Sequence, residues 1–154
     1  MVSKKQYQAY AAAMQTVAGT RQIVMLYDGV IRYLQLAREA MTEKRIEDRY
    51  NNLTRASEIV FGLQSCLDFE QGGEVAKVLY SFYSSIDTRI FGLHRNAELS
   101  ACEQLIDEIR QMRDVWDEID RSNAGNATGQ PPASEESQPS LPPAGDPTNV
   151  ALSA

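Results

Sequence analysis

Proline is missing from the first 130 residues of this 154-residue chain; all six lie between Pro131 and Pro147. The residue that breaks helices is thus confined to one end, and nothing interrupts long helices before it. From Ser122 onward large apolar residues are scarce too, with only Leu141, Val150 and Leu152. Such a stretch cannot bury enough apolar surface to offset its ordering entropy, so residues 122–154 read as a disordered tail. Basic charge is not in excess. Of the net −6, Glu135, Glu136 and Asp146 give the tail −3, leaving −3 for residues 1–121. A nucleic-acid partner would call for a basic face, so the charge balance argues against that class. No apolar run approaches the roughly 18 residues of a membrane span, which argues against membrane insertion. Lys4 and Lys5 precede no apolar core, so no signal peptide is expected there. Cysteine is limited to Cys66 and Cys102, both inside helical patterns, and they are expected as buried free thiols in a reducing cytoplasm.

Catalytic constellations are missing as well. A ferritin-like di-iron bundle needs Glu-x-x-His on two helices, but the one histidine, His94, has Phe91 three residues before it. At a helix C-terminus it is expected as a dipole partner or surface residue. There is no Cys-x-x-Cys, no phosphate-cradling glycine loop and no nucleophile elbow. Glu103, Asp107 and Glu108 recur at helical spacing opposite an apolar stripe and read as a solvated face. The chain is expected to be no enzyme, with no catalytic residue, metal or cofactor.

What is present is helical periodicity. Ile23, Leu26, Tyr27, Val30, Ile31, Leu34, Ala37 and Met41 form a first stripe, with Thr20 as its N-cap. Gly29 inside it is expected to let a neighbouring helix pack closely. Ile46, Tyr50, Leu53, Ala56, Ile59, Val60, Leu63 and Leu67 form the second stripe. Val75, Val78, Leu79, Phe82, Tyr83, Ile86, Ile90 and Phe91 form the third, which ends at His94-Arg95-Asn96. Leu99, Cys102, Leu105, Ile106, Ile109, Met112, Val115, Trp116 and Ile119 form the fourth. Gly72-Gly73 is expected as the turn between the second and third helices, with Gly72 left-handed and Glu74 opening the helix that follows. The fold expected is all-α: an antiparallel up-down-up-down four-helix bundle over residues 20–121, preceded by an N-terminal arm over residues 1–19. Tyr7, Tyr10, Met14 and Val17 dot that arm without making a helix stripe, and they need an apolar site. Seven tyrosines are many for so short a bundle. Tyrosine suits a surface that is covered at some times and wet at others, although Tyr27 and Tyr83 read equally well as core rings. Physical reasoning from the residues reaches a helical binding module.

Four segments carry a resemblance to the FliS family of flagellin export chaperones. They are Tyr7-Gln8-Ala9-Tyr10, Met25-Leu26-Tyr27-Asp28-Gly29, the stretch from Leu67-Asp68 to Gly72-Gly73-Glu74-Val75-Ala76-Lys77, and Trp116. Their order and spacing fit over residues 7–119. The chain departs from the family pattern at Ala18-Gly19, where Ser-Pro is usual, at Gln22, at Phe82-Tyr83-Ser84-Ser85, and in its Pro-rich tail. The resemblance implies a cytoplasmic chaperone that binds the disordered C-terminal segment of flagellin and stops it polymerising early. It implies delivery to the flagellar type III export gate. Tyr7, Tyr10, Ile23, Tyr27, Ile31 and Tyr83 are the residues expected to meet flagellin. A non-enzymatic adaptor bundle that binds a folded partner is the alternative.

Overall fold

The computed structural model describes residues 3–14 and 19–127. These form five helices and, among the described residues, no β-strand: α1 Lys4–Ala13, α2 Thr20–Thr42, α3 Ile46–Ser65, α4 Phe69–Arg95 and α5 Leu99–Ala127. The described residues are all-α, as the lack of proline in the first 130 residues and the 3.6-residue periodicity lead one to expect. α2 packs mainly on α3 and α5, while α4 packs on α3 and α1 and meets α5 less closely.

Each stripe buries its central residues. Val24, Tyr27, Val30 and Leu34 of α2 meet Leu53, Ala56, Val60 and Leu63 of α3, Leu79, Tyr83, Ile86 and Ile90 of α4, and Leu105, Ile109, Trp116 and Ile119 of α5 in one apolar cluster. A Cβ on Gly29 would lie 3.1 Å from Ile59 Cδ1, so the bare backbone there serves close helix packing, as expected. α2 ends in a Schellman motif without glycine. Lys44, at φ 57°, lets its N–H reach Met41 and the Arg45 N–H reach the Ala40 carbonyl at 2.8 Å. α4 stops at Arg95 with Asn96 as its C-cap, where the sequence places the break.

Several expectations are corrected. The turn between α3 and α4 is at residues 66–68, not at Gly72-Gly73. Asp68 caps a further helical turn by accepting the Gln71 N–H at 3.0 Å, and the chain then kinks at Gly73 (φ 49°, ψ −124°). Gly73, not Gly72, is the left-handed residue. The arm forms helix α1. Gly19, not Thr20, holds the N-cap of α2, and the Thr20 hydroxyl instead donates to Asp120 at 2.8 Å. α5 continues past Ser122 to Ala127; the rest of the tail, and Val17 of the arm, lie outside the described residues. The ends of the stripes are wet: Leu26, Ile46, Tyr50, Val78, Phe91 and Leu99 are exposed. Cys66 is exposed too, because α3 ends beneath it, whereas Cys102 is buried and points its thiol at the Leu34 carbonyl. Burial pushes the Cys102 thiol up to about 11.

Candidate functional site

α1 starts with a capping box. The Ser3 hydroxyl accepts from the Gln6 N–H and the Gln6 side chain accepts from the Ser3 N–H. With only ten residues it is too short to persist alone in water, so its helix depends on what it docks against. Its C-terminal end is fastened to the turn before α4. The Asp68 N–H donates to the Ala13 carbonyl at 2.8 Å, and Met14 pairs with Leu67 in an isolated antiparallel bridge. Gly72 is the floor of that contact. A Cβ there would sit 2.4 Å from Ala13 Cα, so the two backbones approach as only glycine permits.

The tyrosines of α1 reach across to α5. Tyr10 meets Trp116 edge-to-face with ring centroids 5.5 Å apart, and Tyr7 stands beside Glu118 and Ser122. Partial desolvation, then the Glu118 carboxylate, raise the Tyr7 phenol above its ordinary pKa. Both tyrosines are half-buried. Beneath α1 lies a buried polar pair: the hydroxyls of Tyr27 on α2 and Tyr83 on α4 are 2.8 Å apart. Desolvation raises both phenols, most strongly Tyr27, and Tyr10 is near enough for its charge to oppose ionisation of either. The Trp116 indole N–H is close enough to favour the Tyr27 phenolate against those effects. It makes no hydrogen bond of standard geometry with any described residue. Ile23 and Ile31 flank Tyr27 on α2 and are buried. Four of the six site residues expected from the sequence are therefore interior, and Tyr7 and Tyr10 lie on the segment above them. A cavity of about 250 Å³ remains between α1 and α4, lined by Gln6, Ala9, Tyr10, Glu74, Val75 and Val78.

Comparison with known proteins gives the family of the chain. The family model for flagellar protein FliS matches residues 3–123, from the start of α1 to the end of α5's buried stripe. The chain belongs to the FliS family. It is similar to the flagellar secretion chaperone FliS of Campylobacter jejuni, 34% identical over 72% of this chain and 90% of that one. It is similar also to FliS of Vibrio cholerae, 30% identical over 68% of this chain and 77% of that one. FliS of Escherichia coli is 28% identical over 77% of this chain and 91% of that one.

Within this member of the FliS family, an ionic seam closes the same end of the molecule. Asp28, in the Leu-Tyr-Asp-Gly segment, accepts from Arg113 Nε at 2.8 Å and so ties α2 to α5. Asp117 is buried among three arginines, Arg21 at 3.4 Å, Arg113 at 3.8 Å and Arg121 at 2.5 Å. Sequence reasoning passed over Asp117 and Gly72's contact with Ala13. Arg113 and Arg121 lie four residues either side of Asp117 and are visible as a spacing, but its burial and its third partner, Arg21 of α2, depend on packing, as does the arm's docking. Elsewhere, Glu103, Asp107 and Glu108 form the expected solvated face, each exposed and paired with an arginine. His94 is half-buried and its ring meets that of Tyr50 at a 60° tilt, centroids 5.2 Å apart. Desolvation and the Arg49 charge lower its pKa, which disfavours the cationic dipole partner expected from its position. Among the described residues no group of His, Cys, Asp and Glu is arranged to hold a metal ion, and no helix is long and apolar enough to cross a membrane.

Proposed function

We propose that this chain is a non-catalytic cytoplasmic chaperone that holds the disordered C-terminal segment of flagellin in an apolar groove. The segment would otherwise polymerise early, and the complex presents it to the flagellar type III export gate. In this reading α2 to α5 form an up-down-up-down bundle, and α1 is a removable cover over the client groove. Tyr7 and Tyr10 hold the cover down, and Ile23, Tyr27, Ile31 and Tyr83 belong to the apolar interior that the client approaches when the cover lifts.

The observation that carries the reading is α1 itself. It is too short to be helical alone, rests on few fixed points, and lies over aromatic residues that a soluble bundle has no need to keep near its surface. A flagellin terminus is an amphipathic polymerisation sequence, and such a segment docks its apolar face in a helix-lined groove. Its ordering entropy is offset by contacts along that groove. Titration with an unfolded flagellin C-terminal peptide tests this. Saturable one-to-one binding with a gain of helical circular dichroism is expected. Binding of folded flagellin but not of the peptide would instead support the adaptor reading.

A further inference from the structure

The cluster under α1 holds more hydrogen-bond donors than it can use. A tyrosine hydroxyl brings one proton and also accepts, whereas an indole N–H brings one proton and accepts nothing. Tyr27, Tyr83 and Trp116 therefore share three protons and two acceptor oxygens. The Tyr27–Tyr83 bond, 2.8 Å between oxygens, uses one proton, whichever ring donates it. The Trp116 N–H is close to the Tyr27 oxygen, but not in standard hydrogen-bond geometry. The remaining hydroxyl proton has no acceptor among the described residues.

All three side chains are fully buried. A buried donor without an acceptor has given up water for nothing, and a core kept for stability alone would carry phenylalanine in place of both tyrosines. The excess lies where α1 sits. Tyr10 meets Trp116 edge-to-face at 5.5 Å and is near both phenols, yet it gives neither of them a hydrogen bond. α1 thus covers the cluster without satisfying it.

We propose that the Trp116 indole N–H and the Tyr27–Tyr83 hydroxyls determine specificity in the client groove, taking a serine or threonine hydroxyl from the otherwise apolar face of the client helix. The inference rests on the reading of α1 as a removable cover. The excess of donors selects the hydroxyl. A carboxylate accepts readily, but among neutral donors its charge would be buried unpaired, which destabilises more than the new bonds stabilise. An asparagine or glutamine amide accepts through its carbonyl but brings two further donors to a place already rich in them. A serine or threonine on a helix donates its own proton to the carbonyl four residues back and keeps its lone pairs for the cluster. One such residue in an apolar stripe also fixes register, because a displaced client would lay methyl groups against the unmet donors.

The test uses the full chain, isotope-labelled, and an unfolded flagellin C-terminal peptide in which each serine is changed in turn to alanine and each threonine to valine. Trp116 is the only tryptophan, so a single indole N–H resonance reports on the site. Saturation with the parent peptide should move that resonance downfield. One substitution in the series should weaken binding by about tenfold and abolish the shift, while the others do neither. Growth on the benzothienyl analogue of tryptophan replaces Trp116 alone, with sulfur standing for the N–H in the same bicyclic shape. In that protein the tenfold gap between the parent and the sensitive peptide should narrow to about threefold. The peptide series alone decides if the analogue protein fails to fold. Binding of the parent with the indole resonance unmoved, tolerance of every hydroxyl loss, or an undiminished gap in the analogue protein would each overturn the proposal and leave the cover reading standing. A parent peptide that does not bind at all would bring down the client reading, and this inference with it.

Discussion

At Gly73 the backbone holds φ 49° and ψ −124°, a conformation that a side chain strains, and open space surrounds the position. Gly73→Val should therefore cost about 1–3 kcal/mol through the backbone alone, read by urea unfolding. Gly72 differs in kind. Its backbone is ordinary, but an added Cβ would meet Ala13, so Gly72→Ala should push α1 away while the bundle stays folded. Loss of the Tyr10 edge contact should shift Trp116 fluorescence to longer wavelength; an unchanged spectrum would show that α1 accommodates the methyl group. The Tyr27–Tyr83 pair makes a third case. Either single Tyr→Phe change leaves a buried hydroxyl alone and should cost about 1–2 kcal/mol, whereas the double change should cost less than the two singles added. Additive costs would mean the two hydroxyls do not depend on each other. The thiols separate as sharply. With Cys66 exposed and the Cys102 thiol pushed up to about 11, a thiol reagent at neutral pH should label one site in the native protein and the second only on unfolding.

At the scale of elements, the four long helices were legible because each carries an apolar stripe of several turns uninterrupted by proline, and such periodicity has one structural solution. Gly29 and the break after His94 were legible for local reasons, a missing Cβ and a cluster of polar residues. The arm was not. Lys4–Ala13 is polar and Ala-rich, its large side chains Tyr7 and Tyr10 keep helical spacing with Met14 over too short a run to read as a stripe, and its helix depends on docking on α4 and on the Tyr10–Trp116 contact. The glycine pair misled for a related reason. Asp68 can cap a turn of helix before Gly73, so the chain uses one glycine for a kink and the other for contact with Ala13, choices that only three-dimensional neighbours decide. Of the residues expected at the site, Tyr7 and Tyr10 stood out through the mismatch between their rings and a polar segment, but how deep Tyr27 and Tyr83 lie could not be read from spacing. If α1 is held by docking, deleting residues 1–17 should leave the long helices folded and raise the fluorescence of an apolar-surface dye, because Val75 and Trp116 lose their cover. Unchanged dye binding would mean that α4 and α5 close over the gap.

For the molecule as a whole, the proposed function has the cover and the client compete for one apolar surface, so client affinity would be reduced by the fraction of molecules in which α1 is down. The contacts that hold it include an edge-to-face ring pair, the backbone hydrogen bond from Asp68, the Met14–Leu67 bridge, the Tyr7 contacts with Glu118 and Ser122, and the buried side chains of Ala13 and Met14. A net docking energy of about 1.4 kcal/mol corresponds to a tenfold reduction in client affinity. The most direct measurement is therefore the dissociation constant of an unfolded flagellin C-terminal peptide for the intact chain and for Gly72→Ala, taken side by side. A removable cover predicts binding tighter by about tenfold in the variant, with Trp116 already shifted before the peptide is added. Binding weakened or lost in the variant, with the long helices still folded, would contradict it and make α1 a clamp that the client needs.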